Sequence, residues 1–408
     1  MSLGASILSN GRELKQAVAR ALSHPLTRSM GPSAWVILVA TVVVACSSTS
    51  SLKTPSAKEV VIPPGAREVS ALWRIQLPPM GPWLTPVMGA DGLIVASSKG
   101  LVSALDAGTG KTLWSLDLKS NLLSGIGAEA PRAGQAQHFA VVTQGNELVY
   151  FSRQGEEWRY PLSVQAITTP VLAGGRVFVL QSDRSVIGLN AQNSRLLWTQ
   201  QKTGDPLILN QKGILMGVQD TLVVGFSGRV LGLNPLTGAT RFDTPIAVPR
   251  GVNDLERLVD LVAPAYRQGE VVCLRAFQAQ IGCVNAVKGT LFWSRAAKGD
   301  VGLSGDANTV LAVESNGMVL GYDRASGEKT WESEKLRYRH LGAPLSLDAT
   351  RFAVPEADGV VYLLSSEDGG LLARLPSNSQ GPLAGLLRTP EGLASVSLSG
   401  SVQAYRLP

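Results

Sequence analysis

Few residues in this sequence have the types and spacing that enzyme chemistry requires. The chain holds three histidines, and the two that lie after residue 45, His138 and His340, are far apart. Neither belongs to a motif for a metal, a nucleophile or a phosphate, such as HExxH, CxxC, GxSxG or a glycine-rich loop. Four carboxylates could be gathered into a site but stand near predicted turns, where acidic residues are common: Asp300, Asp306, Glu356 and Asp358. The sequence therefore offers no candidate catalytic residue, and we predict no metal site and no cofactor.

Cys273 and Cys283 raise the question of a disulfide. A two-residue turn at Gln278–Ala279, like the one that Asn316–Gly317 suggests for the next repeat, puts the two thiols on opposite faces of the sheet. A three-residue turn centred on Gln278 would place them opposite each other. We favour the first arrangement and two free, buried cysteines, and the second stays open.

One repeated segment organises the chain. In Val102–Ser115 a short apolar strand runs into a turn on Asp106 and Gly110, and a second strand ends on Trp114. The pattern returns about every 42 residues, a period typical of propellers and other repeat arrays. The anchor positions are Trp73, Trp114, Trp158, Trp198, Phe242, Trp293, Trp331 and, in a worn copy, Ala373. We expect the indoles to pack between neighbouring repeats rather than to stack on a ligand.

Each repeat contains four strand signals separated by tight turns, which is the content of one propeller blade. The last segment, Glu391–Leu407, lacks a terminal tryptophan strand, and the first segment consists of that strand alone, around Trp73. Joined, the two complete one blade and close the ring, which removes exposed sheet edges. The sequence predicts an all-β, eight-bladed propeller of four-stranded antiparallel blades. Seven blades is the alternative if the worn copy at 365–373 is misread.

Composition agrees with a propeller and argues against a nucleic-acid partner. Charged residues make up 17% of the 408 positions and glycine occurs 43 times, which suits many short strands and turns. The formal net charge is +6, and about half of it belongs to residues 1–45. The rest of the chain has a mixed surface, so the charge indicates no nucleic-acid site.

The start of the chain resembles a lipoprotein signal. Ala34–Cys46 is an apolar run too short for an untilted membrane span, and Val43–Cys46 resembles a bacterial lipobox, in which the cysteine is lipidated. We expect a signal segment at 1–45, lipidated Cys46 with a flexible tether at 46–66, and a propeller at 67–408. An uncleaved signal anchor and a start at Met30 stay open.

The interval from Phe242 to Trp293 is the longest between anchors, and its surplus falls in Pro249–Ala265. Long loops on rigid scaffolds are common places for function. Within it, Asp254–Pro264 resembles the loop E-x-x-R-L-x-D-x-D-x-x-P of the BamB family of outer-membrane protein assembly factors. That family shares its tryptophan repeat with the quinoprotein dehydrogenases, whose vicinal cysteine pair this chain lacks.

The resemblance implies a docking site carried by particular residues. The matched loop positions are Arg257, Leu258 and Asp260, with Glu256 beside them. A second family segment, L-x-L-R, has its leucines at Leu207 and Leu209, but Asn210 stands at its arginine, with Lys212 close by, and Val262 stands at the second aspartate of the loop. These departures predict that the polar part of the docking surface is weaker, is shifted, or is matched by a changed partner. Arg257 and Asp260 could also form an ion pair within the loop.

The resemblance implies that the chain is not an enzyme but a scaffold lipoprotein of the outer-membrane β-barrel assembly (BAM) complex. It would be anchored by lipid on the periplasmic face of the outer membrane, as a monomer within a hetero-complex. Its expected partners are the POTRA domains of BamA, other BAM subunits and nascent outer-membrane proteins. The alternative is a periplasmic propeller that binds a quinone or another ligand, and a polysaccharide-binding propeller is a weaker third hypothesis.

Overall fold

The four-strand repeat of the sequence folds into eight separate sheets, each of four antiparallel strands. The computed structural model describes residues 56–57, 59–62, 69–130, 136–202, 208–209, 211–249, 252–253, 258–375 and 381–407. The expected signal segment and Cys46 lie outside these residues. Across the described ranges, no helix has the length and apolar character needed to cross a membrane.

The strands follow one another with short connections. They are β1 (Ser70–Gln76), β2 (Val87–Gly89), β3 (Gly92–Ala96), β4 (Leu101–Leu105), β5 (Thr112–Asp117), β6 (Gly127–Ala128), β7 (His138–Val142), β8 (Glu147–Ser152), β9 (Gly155–Pro161), β10 (Val171–Ala173), β11 (Arg176–Leu180), β12 (Ser185–Asn190), β13 (Leu196–Gln201), β14 (Leu215–Val218), β15 (Thr221–Phe226), β16 (Arg229–Leu233), β17 (Thr240–Pro245), β18 (Leu261–Gln268), β19 (Val271–Ala276), β20 (Gln280–Asn285), β21 (Thr290–Ala296), β22 (Ser304–Gly305), β23 (Thr309–Val313), β24 (Val319–Asp323), β25 (Lys329–Ser333), β26 (Leu345–Ser346), β27 (Arg351–Pro355), β28 (Val361–Ser365), β29 (Leu371–Arg374), β30 (Leu383–Thr389), β31 (Gly392–Ser397) and β32 (Ser401–Arg406).

The ring has eight blades, as the sequence predicts. Blade 1 is β2 to β5, and each following blade takes the next four strands. Blade 8 combines β30, β31 and β32 with β1, which pairs with β32 so that Trp73 lies opposite Ala404. The N-terminal strand therefore closes the ring, and the eight-bladed prediction is confirmed.

Blades stack on both faces, which explains why their middle strands are apolar throughout. In β3 and β11, for example, every residue after the first is buried, as expected where both faces of a sheet are covered. The first strands of neighbouring blades contact one another and therefore surround the central channel. Hydrophobic clusters join each blade to the next around the whole ring, and this burial is the main source of stability.

The repeated Asx, glycine and tryptophan act together across the blade boundary. In blade 4, Asn234 Oδ1 accepts a hydrogen bond from the N–H of Leu236 at 2.8 Å, which holds the turn. The indole of Trp198, on the outer strand of blade 3, donates to the carbonyl of Pro235 at 3.0 Å. The same contact from an indole to the residue after the Asx position, or after Ser365 in the worn copy, is made by Trp73, Trp158, Trp293 and Trp331.

The glycine of each turn makes room for that indole. Gly238 has a φ of +74°, and a Cβ there would lie 2.6 Å from the Trp198 ring. Gly238→Ala should therefore lower the free energy of unfolding by about 2–3 kcal/mol, through left-handed strain and loss of indole packing.

Gly174→Ala provides the control for this substitution. Gly174 also has a positive φ, of +59°, but a Cβ there meets nothing within 4 Å. This variant should lose only about 1 kcal/mol, from backbone strain alone. Equal losses in urea unfolding of the two variants would show that the glycines do not serve the indoles.

Trp114 departs from this rule. Its indole donates to Asp91 Oδ2 at 3.1 Å, within its own blade. The turn that Trp114 faces in blade 2 has two residues between the paired Ser152 and Gly155, whereas the corresponding turns of the other blades have four, so it lacks the usual Asx–glycine pair. Cross-blade anchoring by the indole thus depends on a complete turn in the next blade.

The expectation of two free cysteines is wrong, because Cys273 and Cys283 form a disulfide. The two residues are directly opposite in the register of β19 and β20, and both are fully buried. Three residues separate the paired Ala276 and Gln280, and the middle one, Gln278, has a φ of +51°. The turn is therefore the three-residue alternative centred on Gln278.

The two ends of the propeller differ. Because consecutive antiparallel strands reverse direction, the turns between the second and third strands lie at the same end as the connections between blades. We call this end the connection face. The Asx turns that receive the indoles lie at the opposite end.

Candidate functional site

The inserted segment lies on the connection face, between blades 4 and 5. Its last residues, Leu261–Ala265, belong to β18, so the irregular part is shorter than the predicted Pro249–Ala265. Leu258 is half-buried, and Val259 is buried in the core shared by these blades. The predicted site residues Glu256 and Arg257 lie outside the described residues.

Asp260 joins three parts of the connection face. Its carboxylate accepts hydrogen bonds from the N–H of Leu209 at 2.8 Å and from the N–H of Ser227 at 3.1 Å. Its backbone carbonyl accepts from the N–H of Phe277 at 2.9 Å. Asp260 therefore fixes the two segments that the resemblance singles out, Leu209 and the inserted loop, against each other.

The remaining predicted docking residues divide into two groups. Leu209 is half-buried and lies beside Asp260, whereas Leu207 and Asn210 fall outside the described residues. Val262, at the second aspartate position of the family loop, is 1% exposed and pairs with Arg275 of β19. This position belongs to the core, so its change from aspartate does not alter the solvent-facing surface of the propeller.

The side chain of Lys212, noted in the sequence only as a neighbour of Asn210, contacts the connection that leads into blade 1. Its Nζ donates to Thr85 Oγ1 at 3.1 Å. Burial of the ammonium group lowers the pKa of Lys212 from about 10.5 to about 8. Spacing along the chain gives no sign of this contact, because Thr85 is 127 residues away.

The lowered pKa of Lys212 predicts a pH dependence of stability. Because the folded pKa is below the unfolded one, the penalty for burying the charge is complete below about pH 8 and disappears as the pH rises toward 10.5. The wild type should gain about 2–3 kcal/mol relative to Lys212→Met over this interval. Urea unfolding of both proteins at pH 7.5 and pH 10 measures the difference, and parallel changes would contradict the assignment.

A second polar cluster lines a cleft of about 340 Å³ on the connection face, between blades 6, 7 and 8. It contains Asp300, His340 and Glu356, which are candidates from the sequence, and Glu314, which is not. Asp306 and Asp358 lie elsewhere, where they accept hydrogen bonds from backbone N–H groups of their own turns.

Two carboxylates of this cleft, Glu314 and Glu356, are paired with arginines. Glu314 binds the fully buried Arg275 at 3.2 Å. Glu356 binds Arg339 at 3.0 Å and accepts a 2.8 Å hydrogen bond from the Tyr362 hydroxyl. Burial and the Glu356 carboxylate together raise the pKa of Tyr362 to about 12. These are the contacts of groups that join blades.

The other histidine candidate is also held by protein contacts. His138 stacks on Tyr150 at 5.0 Å between ring centroids and lies 2.9 Å from Glu157 and 3.4 Å from Glu129. In the part of the chain that the structure describes, no three His, Cys, Asp or Glu side chains are grouped so that they could hold a metal ion.

The closed ring of tryptophan-anchored blades defines a β-propeller of PQQ-like repeats. The sequence profile of one family of such proteins, "Outer membrane protein assembly factor BamB", matches residues 98–333, more than half of the 408 residues. The chain belongs to the BamB family. The resemblance read from the repeats and the inserted loop is therefore confirmed.

Individual relatives match the sequence of this chain along most of their length. BamB of Burkholderia pseudomallei (strain K96243) is 27% identical over 369 residues, which cover 89% of this chain and 94% of the relative. BamB of Yersinia pestis is 25% identical over 331 residues, covering 79% and 84%.

Solved structures show the same fold. The crystal structure of BamB from Moraxella catarrhalis superposes with a TM-score of 0.74 at 22% identity, covering 83% of this chain and all (100%) of that one. The quinohemoprotein alcohol dehydrogenase ADHIIG from Pseudomonas putida HK5 gives a TM-score of 0.60 at 13% identity, covering 83% and 76%. At these identities the likeness concerns the fold alone.

Proposed function

We propose that this chain is a non-enzymatic scaffold lipoprotein of the outer-membrane β-barrel assembly complex. It docks on the periplasmic POTRA domains of BamA through the connection face of blades 4 and 5, and assists the assembly and insertion of β-barrel proteins. The observation that carries the proposal is the inserted segment of a BamB-family propeller, fixed by Asp260 against Leu209.

The chemistry of this surface suits protein docking. Leu209 and Leu258 are half-buried, so each can give up further apolar surface to a partner. Asp260 acts as a positioning residue, because backbone N–H groups of this chain occupy both of its carboxylate oxygens.

The buried disulfide supports a location outside the cytoplasm. Disulfides form and persist in oxidising compartments such as the bacterial periplasm. Cys273 and Cys283 are 0% exposed and joined inside blade 5, next to the inserted segment. This agrees with anchoring through Cys46 on the periplasmic face of the outer membrane.

Binding of the full chain, purified in detergent, to the POTRA domains of BamA tests the proposal. We expect Arg257→Ala with Asp260→Ala to weaken binding at least tenfold. Asp306→Ala is the matched control, since Asp306 also accepts hydrogen bonds from two backbone N–H groups but lies in a turn at the opposite end of the propeller. The control should lose similar stability and bind normally.

Other outcomes have defined meanings. Wild-type binding that the double variant leaves unchanged would move the docking site to another surface. A folded wild type that does not bind at all would overturn the scaffold proposal. Absorbance of a bound quinone in such a protein would favour the alternative of a ligand-binding propeller.

A further inference from the structure

Lys212 crosses the mouth of the central channel. It lies in the connection that leads into blade 4, and its Nζ donates to Thr85 Oγ1, in the connection that leads into blade 1, at 3.1 Å. Because blades 2 and 3 stand between these two in the ring, the contact reaches across the channel rather than along a blade boundary.

Uncharged residues from the two intervening blades complete this site. A Cβ on Gly125 would lie 2.4 Å from Thr169 Oγ1 and 2.8 Å from Thr85 Oγ1. The connections into blades 1, 2, 3 and 4 therefore converge at this point. They bring two hydroxyls and one ammonium group together, and a glycine leaves the space between the hydroxyls open.

The ammonium group of Lys212 has no counter-ion among the described residues. On the same face, the buried Arg275 and the half-buried Arg339 are each paired with a glutamate. Lys212 instead contacts a neutral hydroxyl, and burial alone lowers its pKa. An uncompensated, partly buried cation is costly in the isolated protein, and such groups are characteristic of binding sites.

The backbone of Lys212 is fixed to the candidate docking segments. Its carbonyl accepts a hydrogen bond from the N–H of Ala263 at 2.9 Å, three residues after Asp260. The N–H of Gly213 donates to Ile167 at 3.2 Å. Lys212 is also three residues after Leu209, which Asp260 holds. A partner that covers Leu209 and Leu258 would therefore reach the mouth of the channel.

We propose that Lys212, with the hydroxyls of Thr85 and Thr169, binds a carboxylate at the mouth of the central channel, and that an aspartate or glutamate side chain of the docked partner supplies it. This inference rests on the proposed function and specifies the chemistry of the partner surface. The carboxylate would provide the missing counter-charge, and the hydroxyls can donate hydrogen bonds to it.

Affinity for the POTRA domains of BamA at pH 7 and pH 9.5, measured with the full chain in detergent, tests this site. Thr85, Gly125 and Thr169, which lie around Lys212, carry no charge, so Lys212 is the group of this site that we expect to lose its proton between the two pH values. We expect the wild type to bind about tenfold more weakly at pH 9.5, because the free ammonium group is then mostly deprotonated. Lys212→Met should bind about tenfold more weakly at pH 7 and change little with pH.

Two further variants make the result decisive. Lys288→Met removes an exposed lysine from the turn after β20, at the opposite end, and should behave as the wild type does. Lys212→Arg keeps the charge at pH 9.5 and should lose less than threefold between the two pH values.

Three outcomes would overturn the inference. Lys212→Met could bind within twofold of the wild type at pH 7, or the wild type and Lys212→Met could lose affinity equally with pH. If the folded wild type binds at neither pH, the proposed function fails and this inference fails with it.

Lys212→Met should melt at or above the wild-type temperature, because it removes a buried charge.

Discussion

Glu314→Leu will lower the free energy of unfolding by about 3–5 kcal/mol, because it leaves the guanidinium of Arg275 buried without a counter-charge. The Arg275 side chain is 0% exposed, and Glu314 Oε1 lies 3.2 Å from Nη1 and 3.3 Å from Nη2. Burial lowers the pKa of Arg275, and the Glu314 carboxylate opposes that effect. Urea unfolding measures the loss.

The matched control removes both charges. Arg275→Met with Glu314→Leu replaces the pair with apolar side chains of similar size, which is often neutral or stabilising for buried ion pairs. The double variant should therefore recover most of the stability that Glu314→Leu loses. A single variant that costs less than about 1 kcal/mol would show that water or another group replaces the carboxylate.

Removal of the disulfide should have the second largest effect. Cys273→Ala with Cys283→Ala removes a cross-link between residues 10 apart in the sequence. We expect the free energy of unfolding to fall by about 2–4 kcal/mol. Both residues are fully buried, so a reductant should leave the folded wild type unchanged and act only once the chain unfolds.

Reductant supplies the internal control for this prediction. Urea unfolding of the wild type with a reductant present should show the same loss as the double variant, whose own curve should not move. A reductant that shifts both curves equally would act on something other than this bond. Equal stability of the wild type and the double variant would contradict the prediction.

The repeat made most of the fold predictable, because its signal is local and recurs. Each blade needs a turn, a left-handed backbone position and a large apolar side chain. In the first blade these are provided by Asp106, Gly110 and Trp114. The hydrogen bond from Trp114 to Asp91 was harder to predict from the sequence. It depends on a turn in the following blade that is two residues shorter than its equivalents, and this difference matters only once the blades stand side by side.

The disulfide shows why turn geometry escaped prediction. Gln278 adopts a positive φ, although nothing in its residue type marks it for that conformation. The turn at Asn316–Gly317, which we used as the model for a two-residue turn, also has three residues. They lie between Glu314 and Met318, whose backbones are hydrogen-bonded at 2.8 Å. A difference of one residue in turn length decides whether two thiols meet or point apart.

The sequence shows the components of the candidate site but not the contacts between them. The inserted loop was visible as surplus length, and Asp260 as a matched residue. Its partners, the N–H groups of Leu209 and Ser227, belong to other connections and come close only in the closed ring. The contact of Lys212 with Thr85 joins residues 127 apart for the same reason.

Hydrogen–deuterium exchange of the full chain, with and without the POTRA domains of BamA, tests whether docking takes place at the inserted loop. We expect bound POTRA domains to slow exchange at Leu258–Leu261 and at 208–213, on the connection face of blades 4 and 5. The Asx turns at the opposite end, such as Asp106–Gly110, should exchange at unchanged rates. Unchanged exchange at blades 4 and 5 in a complex that forms, with protection elsewhere on the ring, would contradict the proposed docking site.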